Sequence, residues 1–149
     1  MHRWLMKTEP GTFSIDELRA RKVEPWDGVR NYQARNFIRD MQRGDEILIY
    51  HSACPQPGVA GIAKIAGVPK PDPTQFDPDN DHYDPASKHD DPRWMLVDVR
   101  FVRKLKRVIT LDEIKALRNL GDFALTRRGN RLSVVPVTDR QWQAILALE

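Results

Sequence analysis

A mixed α+β domain, with a small curved sheet or barrel and short helices at its ends, is what this sequence predicts. Three observations carry that prediction. At least five short runs are apolar, β-branched or alternating, and are of strand length. Between them stand three hydroxyl capping boxes and one asparagine cap, each able to open a short helix. The length of 149 residues, 40% hydrophobic and 30% charged, fits one ordinary domain spanning 1–149. Such a chain buries roughly two thirds of its surface on folding and needs no covalent staple.

In chain order, Arg3–Lys7 reads as a first strand, stopped by Glu9-Pro10-Gly11. Ser14-Ile15-Asp16-Glu17 is a capping box: the serine hydroxyl accepts from the amide three residues on, and Glu17 reaches back. Asn31 caps a helix expected to run to about Gln42 and stop at Gly44. In it Ala34, Phe37, Ile38 and Met41 form one apolar stripe, while Arg35, Arg39 and Arg43 form a basic ridge. Asp45–His51 and Val59–Ala66 are β-branched runs joined by a Pro/Gly loop, the pattern of a hairpin. Residues 67–93 hold six prolines among aspartates and read as a long irregular loop, of the kind that is functional or partly disordered. Trp94–Leu105 alternates as a strand, and Arg131–Val135 is the last strand. Capping boxes at Thr110 and Thr138 open helices near 111–119 and 139–148. Most strand pairings are expected to be antiparallel.

Composition excludes several classes. The single cysteine, Cys54, leaves no disulfide framework and no multi-cysteine zinc site. With a mean hydropathy of −0.59, no apolar run approaches the ~20 residues that span a bilayer, so no membrane is expected. No secretory leader and no basic import-type run appear, which reads as a free-standing cytoplasmic protein, and a monomer is expected. Catalytic and cofactor templates fail as well. Asp77, Asp79 and Asp81 start like a calcium loop, but His82 and Lys88 stand where that loop needs Gly and Glu. The four histidines lack metal-ligand spacing, and the glycines make neither a phosphate loop nor a dinucleotide fingerprint. His51 and Cys54 lack the third member of a nucleophilic triad. No metal and no cofactor are expected.

Charge is distributed unevenly. The net +3 is mild. Residues 100–131, however, carry ten basic side chains against Asp112, Glu113 and Asp122, a net +7, whereas 72–98 carry a net −6. A basic third beside an acidic third suits a phosphate-facing surface. The informative stretch is Pro25-Trp26-Asp27-Gly28-Val29-Arg30-Asn31-Tyr32. Trp26 offers a flat face for stacking a base, Gly28 admits close backbone approach, and Asn31 opens a helix whose amides favour an acceptor or can itself read a base edge. The same residues read equally as a core tryptophan and an ordinary helix cap. Lys7-Thr8-Glu9-Pro10 and Tyr50-His51-Ser52 are polar where strands end, as at the mouth of a pocket or in a solvated turn.

Taken together, Lys7–Pro10, Trp26–Asn36, Gly44-Asp45, Tyr50–Ser52, Pro57–Gly61, Tyr83-Asp84-Pro85, Trp94–Val99 and Arg131-Leu132-Ser133 resemble the successive motifs of the EVE domain family, nearest its thymocyte nuclear protein branch. Thr8 stands where the family commonly has Ser, which keeps the hydroxyl. The resemblance implies a PUA-like twisted β-barrel of five or six strands with short flanking helices. It also implies a pocket for a modified nucleobase: 5-methylcytosine or an oxidised derivative in DNA, or a modified base in RNA. Carried over residue by residue, Lys7, Thr8, Trp26, Val29, Arg30, Asn31, His51 and Ser52 would line that pocket, with Glu9, Tyr50 and Ser133 from the same motifs. Arg35, Arg39, Arg127 and Arg128 would hold phosphates. The leading expectation is therefore non-catalytic binding of nucleic acid with its modified base flipped out. The alternatives are an enzyme or accessory factor on modified RNA or nucleotides, with Glu9 or His51 as acid/base, and a protein-interaction domain using the acidic loop.

Overall fold

The computed structural model describes all residues, 1–149. In chain order it contains β1 (Arg3–Thr8), α1 (Ile15–Arg21), β2 (Val23–Pro25), α2 (Tyr32–Asp40), β3 (Glu46–His51), β4 (Gly58–Ile65), β5 (Lys70–Pro71), β6 (Met95–Leu96), β7 (Asp98–Thr110), α3 (Leu111–Lys115), β8 (Val134–Val137) and α4 (Asp139–Leu146). Six strands form one curled sheet in the order β2-β7-β4-β3-β1-β8, and β5 pairs with β6 apart from it. Register shifts interrupt β3/β4 after Ile49 and β4/β7 in two places. Each such irregularity bends and twists the sheet locally. The α+β, PUA-like architecture expected from the sequence is the one observed.

The central strands are buried on both faces of the sheet. Leu5 and Met6 of β1, Ile47, Leu48 and Ile49 of β3, and Val59 and Ala63 of β4 are fully buried, and Ile15, Leu18, Ile38, Ile114 and Ile145 seal the core from the helices. Packing of α1 is close enough that a Cβ on Gly61 would clash with the Ile15 side chain. All three capping boxes form, and Asn31 Oδ1 accepts from the Ala34 amide at 3.0 Å. At the start of β3 the buried Asp45 carboxylate accepts from the His2 amide, the Trp4 indole and the Gln42 amide, pinning the N-terminus.

Several expectations are corrected. Most strand pairs are antiparallel, as expected, but β1/β3 is parallel, because the chain crosses from one to the other through α1, β2 and α2; β2 itself had no strand signature. Helix α2 ends at Asp40: Met41 turns extended and is buried, so Arg43 falls off the ridge. The expected 94–105 strand divides at Val97, whose carbonyl accepts from the Trp26 amide, and then β7 runs on to Thr110. Helices α3 and α4 are shorter than expected. The last strand begins at Val134, where its pairing with Met6 begins; Leu132 is held by an Asn130 turn instead.

The 67–93 segment is no loose loop. Gln75 is fully buried; its amide group donates to the carbonyls of Asp72 and Trp94 and its oxygen accepts from Ser87 and the Trp94 amide. The Trp94 indole donates to Asp84 at 2.7 Å, an interaction that holds this carboxyl below its usual range. Buried polar groups satisfied this fully fix a segment that lacks regular structure.

Candidate nucleic-acid site

Parallel pairing brings the ends of β1 and β3 side by side. Thr8 sits opposite His51, the Ser52 amide donates to the Thr8 carbonyl, and the Lys7 amide donates to the Ser133 carbonyl. Three polar motifs distant in sequence thus meet at one end of the sheet. Beside it opens a cleft of about 340 Å³. Its lining comes from three places: Lys7 and Thr8 with Thr12 and Phe13 just beyond them; Arg21 together with Glu24, Pro25, Trp26 and Asp27; and His82 from the long loop. Trp26 stands edge-on to Phe13, with ring centroids 5.8 Å apart, and keeps only 8% exposure. It is core residue and cleft wall at once.

A second set of contacts builds the wall from behind. Asp72, 0% exposed, accepts from the Gly28 amide at 2.8 Å, from Arg30 at 3.0 Å and from the Thr74 amide at 2.9 Å. Burial pushes its pKa up, but the hydrogen bonds from Thr74, Gly28 and Arg30 outweigh that and hold it below its usual range. The clamp lays His82 against Gly28, where a Cβ would come within 2.7 Å of the imidazole. Gly28 also has φ +81°, a backbone conformation that favours glycine.

The structure separates the remaining sequence-predicted residues from the cleft lining. Arg30 is spent on Asp72, Thr74 and the His82 carbonyl. Val29 is in the core and Asn31 acts as a helix cap. Tyr50 is buried, with its pKa pushed up to about 12 by that burial, and Lys7 Nζ lies 5.9 Å from its ring centroid. His51 Nε2 accepts from the Ile15 amide at the start of α1, and burial lowers its pKa. Glu9 is exposed; Ser52 and Ser133 contribute backbone to this end of the sheet. Neither Glu9 nor His51, the candidate acid/base residues, lines the cleft. Sequence reasoning missed Thr12, Phe13, Arg21, Glu24, Pro25, Asp27 and His82. Only Pro25 and Asp27, inside the Pro25–Tyr32 stretch, carried a signal; His82 is delivered by tertiary contacts.

Within the cleft, burial lowers the pKa of Lys7. Burial also raises that of Asp27; Asp72 and Glu24 add to this, partly offset by His82 and Arg30. Four of the ten basic side chains in 100–131 are paired, two of them with acids from outside that stretch. Arg103 pairs with Glu149, Lys104 with Asp16, Arg107 with Glu113 and Arg127 with Asp122. Arg35 lies over the Tyr32 ring and bonds the Arg93 carbonyl, while Arg39 and Arg128 are exposed. A larger depression of about 570 Å³ lies near β8, but it is lined by paired charges such as Arg3–Asp139 and Asp122–Arg127.

Comparison with known proteins gives the family of the chain. The EVE domain model matches residues 2–148. Human thymocyte nuclear protein 1 is 46% identical over 98% of this chain and 73% of its own length. A crystal structure of a Pseudomonas syringae protein superposes with a TM-score of 0.95 at 49% identity, covering 98% of each chain. Human THYN1, solved in complex with 5-methylcytosine containing DNA, superposes with a TM-score of 0.91 at 45% identity, covering 99% of this chain and 97% of that one. The cytoplasmic placement expected from the sequence is overturned here, since relatives matching nearly the whole chain are named for the nucleus. Compartment is set by short address signals and partners, not by a domain's fold or charge balance. With a family model spanning all but its terminal residues, and with relatives of this identity and coverage, the chain belongs to the EVE domain family.

Proposed function

We propose that residues 1–149 act as one non-catalytic module that binds DNA carrying a modified cytosine, with the base flipped into the cleft beside Trp26. The observation that carries this reading is the cleft itself: an aromatic pair, Trp26 and Phe13, flanked by a donor, Lys7, and an acceptor, Asp27. The likeness to a protein crystallised with 5-methylcytosine containing DNA supports the same reading. A base in a duplex hides its 5-substituent behind stacking and pairing, so flipping costs a few kcal/mol that the pocket must offset. Stacking on Trp26 supplies about 1–3 kcal/mol, and edge hydrogen bonds supply the rest. The methyl group adds only about 1 kcal/mol of buried apolar contact. Arg35, Arg39 and Arg128 lie outside the cleft and would hold phosphates without reading sequence.

The test is a binding titration with matched duplexes carrying cytosine, 5-methylcytosine or 5-hydroxymethylcytosine, and with a modified tRNA pool as the RNA arm. Wild type should favour a modified cytosine by about 1 kcal/mol or more, and Trp26→Ala should remove that preference. Equal, steeply salt-dependent binding to every duplex would reduce the protein to a basic surface. Selective capture of the tRNA pool would move the function to RNA.

A further inference from the structure

Thymine poses the hardest discrimination for such a cleft. It carries the same 5-methyl group as 5-methylcytosine, and stacking on an aromatic face is tolerant of base identity. The two bases differ on the pairing edge, where cytosine presents an exocyclic amino donor and thymine a carbonyl acceptor. Rejecting thymine at that exocyclic position calls for a hydrogen-bond acceptor in the cleft that is not already engaged.

The charged side chains of the lining narrow the choice. Lys7 and Arg21 are donors only. Glu24 is committed to Arg21 in an ion pair. Asp27 lines the cleft, is exposed to it, and has no hydrogen bond or ion pair to its carboxylate within the protein. It follows Trp26 directly and lines the same cleft, so both side chains border the space a flipped base would occupy.

We propose that Asp27 is the specificity residue of this cleft: its carboxylate accepts from the exocyclic amino group of the flipped cytosine and repels the carbonyl that thymine carries at that position. The inference rests on the modified-cytosine reading above and names the contact that reading lacks. Burial and the neighbouring Asp72 and Glu24 already disfavour charge on Asp27, so a donor-bearing base relieves a cost built into the empty cleft.

The experiment compares duplexes identical except for one base opposite guanine: cytosine, 5-methylcytosine or thymine. A thymine–guanine mismatch opens more easily than a matched pair, so flipping alone favours thymine, and any preference for 5-methylcytosine comes from the pocket. At neutral pH, wild type should prefer 5-methylcytosine over thymine by about tenfold or more. Asp27→Asn, whose amide can present either a donor or an acceptor, should bring the two within about threefold. A duplex carrying 5-methyl-2-pyrimidinone, which lacks the amino group, should bind wild type about tenfold more weakly than 5-methylcytosine and be indifferent to Asp27→Ala. Thermal melts check that both variants are folded. If Asp27→Asn keeps the full preference against thymine while wild type still favours 5-methylcytosine over cytosine, the assignment of Asp27 is wrong and the modified-cytosine reading stands. If wild type does not distinguish cytosine from 5-methylcytosine at all, both fall together.

Discussion

His51 shows how a residue with catalytic potential is absorbed into the scaffold. Its Nε2 accepts the Ile15 amide at a helix N-terminus that would otherwise be left with an orphan donor. Only the neutral imidazole can do this. Burial places its folded-state pKa below the ordinary 6.5, with Asp16 opposing and Lys104 adding to the shift. The unfolded chain therefore binds the proton more readily. The stabilisation is complete above about pH 6.5 and is lost as pH falls through the lowered folded value. Melting temperatures measured from about pH 7.5 down to about pH 5 should fall more steeply for wild type than for His51→Gln, whose side-chain oxygen can accept at any pH. Identical slopes would show that another group carries the acid sensitivity. Asp27 behaves oppositely, because an unpartnered carboxylate with a raised pKa costs stability at neutral pH. Removing it should leave the melting temperature level or higher, the pattern expected of a side chain kept for binding.

At the scale of elements, the arm from Asp72 to Trp94 decides whether the cleft has its full wall. The arm is held by few regular backbone pairings and by one buried carboxylate that gathers Gly28, Arg30 and Thr74. Asp72→Ala leaves the Arg30 guanidinium, itself only 21% exposed, facing an emptied site. Loss of about 2–4 kcal/mol is expected, close to what removal of one partner from a buried ion pair costs. Hydrogen exchange should show the loss concentrated at Gly28 and across 72–94, with β1, β3 and β4 still protected. Uniform loss across the sheet would mean that the arm is part of the global folding unit. The arm's sequence composition suggested an irregular acidic tract, and its acidity is real. Its order was not legible, because it depends on Gln75 and Asp72 finding carbonyls and amides up to 44 positions away.

Charge belongs to the whole molecule. Arg103 and Lys104 of the basic third are tied to Glu149 and Asp16 from outside it, so the field is weaker than the net +7 of that stretch, a figure that already counts Glu113 and Asp122. If Arg39 and Arg128 each meet a phosphate, Arg39→Ala and Arg128→Ala should each weaken binding to all duplexes alike and reduce the slope of log affinity against log salt by about 1. A slope unchanged in both would place the phosphate contacts elsewhere. What the sequence determined by itself is local: the hydroxyl capping boxes, the asparagine cap, the β-branched runs and, through the resemblance of its motifs, the family. Those signals depend on neighbours within a turn or two, so the sequence holds them complete. Only the tertiary structure decided that β1 and β3 run parallel, that His51, Arg30 and Asn31 serve the scaffold, and that Phe13, Asp27 and His82 share a cleft with Trp26. Those facts depend on which distant groups satisfy each other's hydrogen bonds once the chain has closed, and no local pattern encodes them.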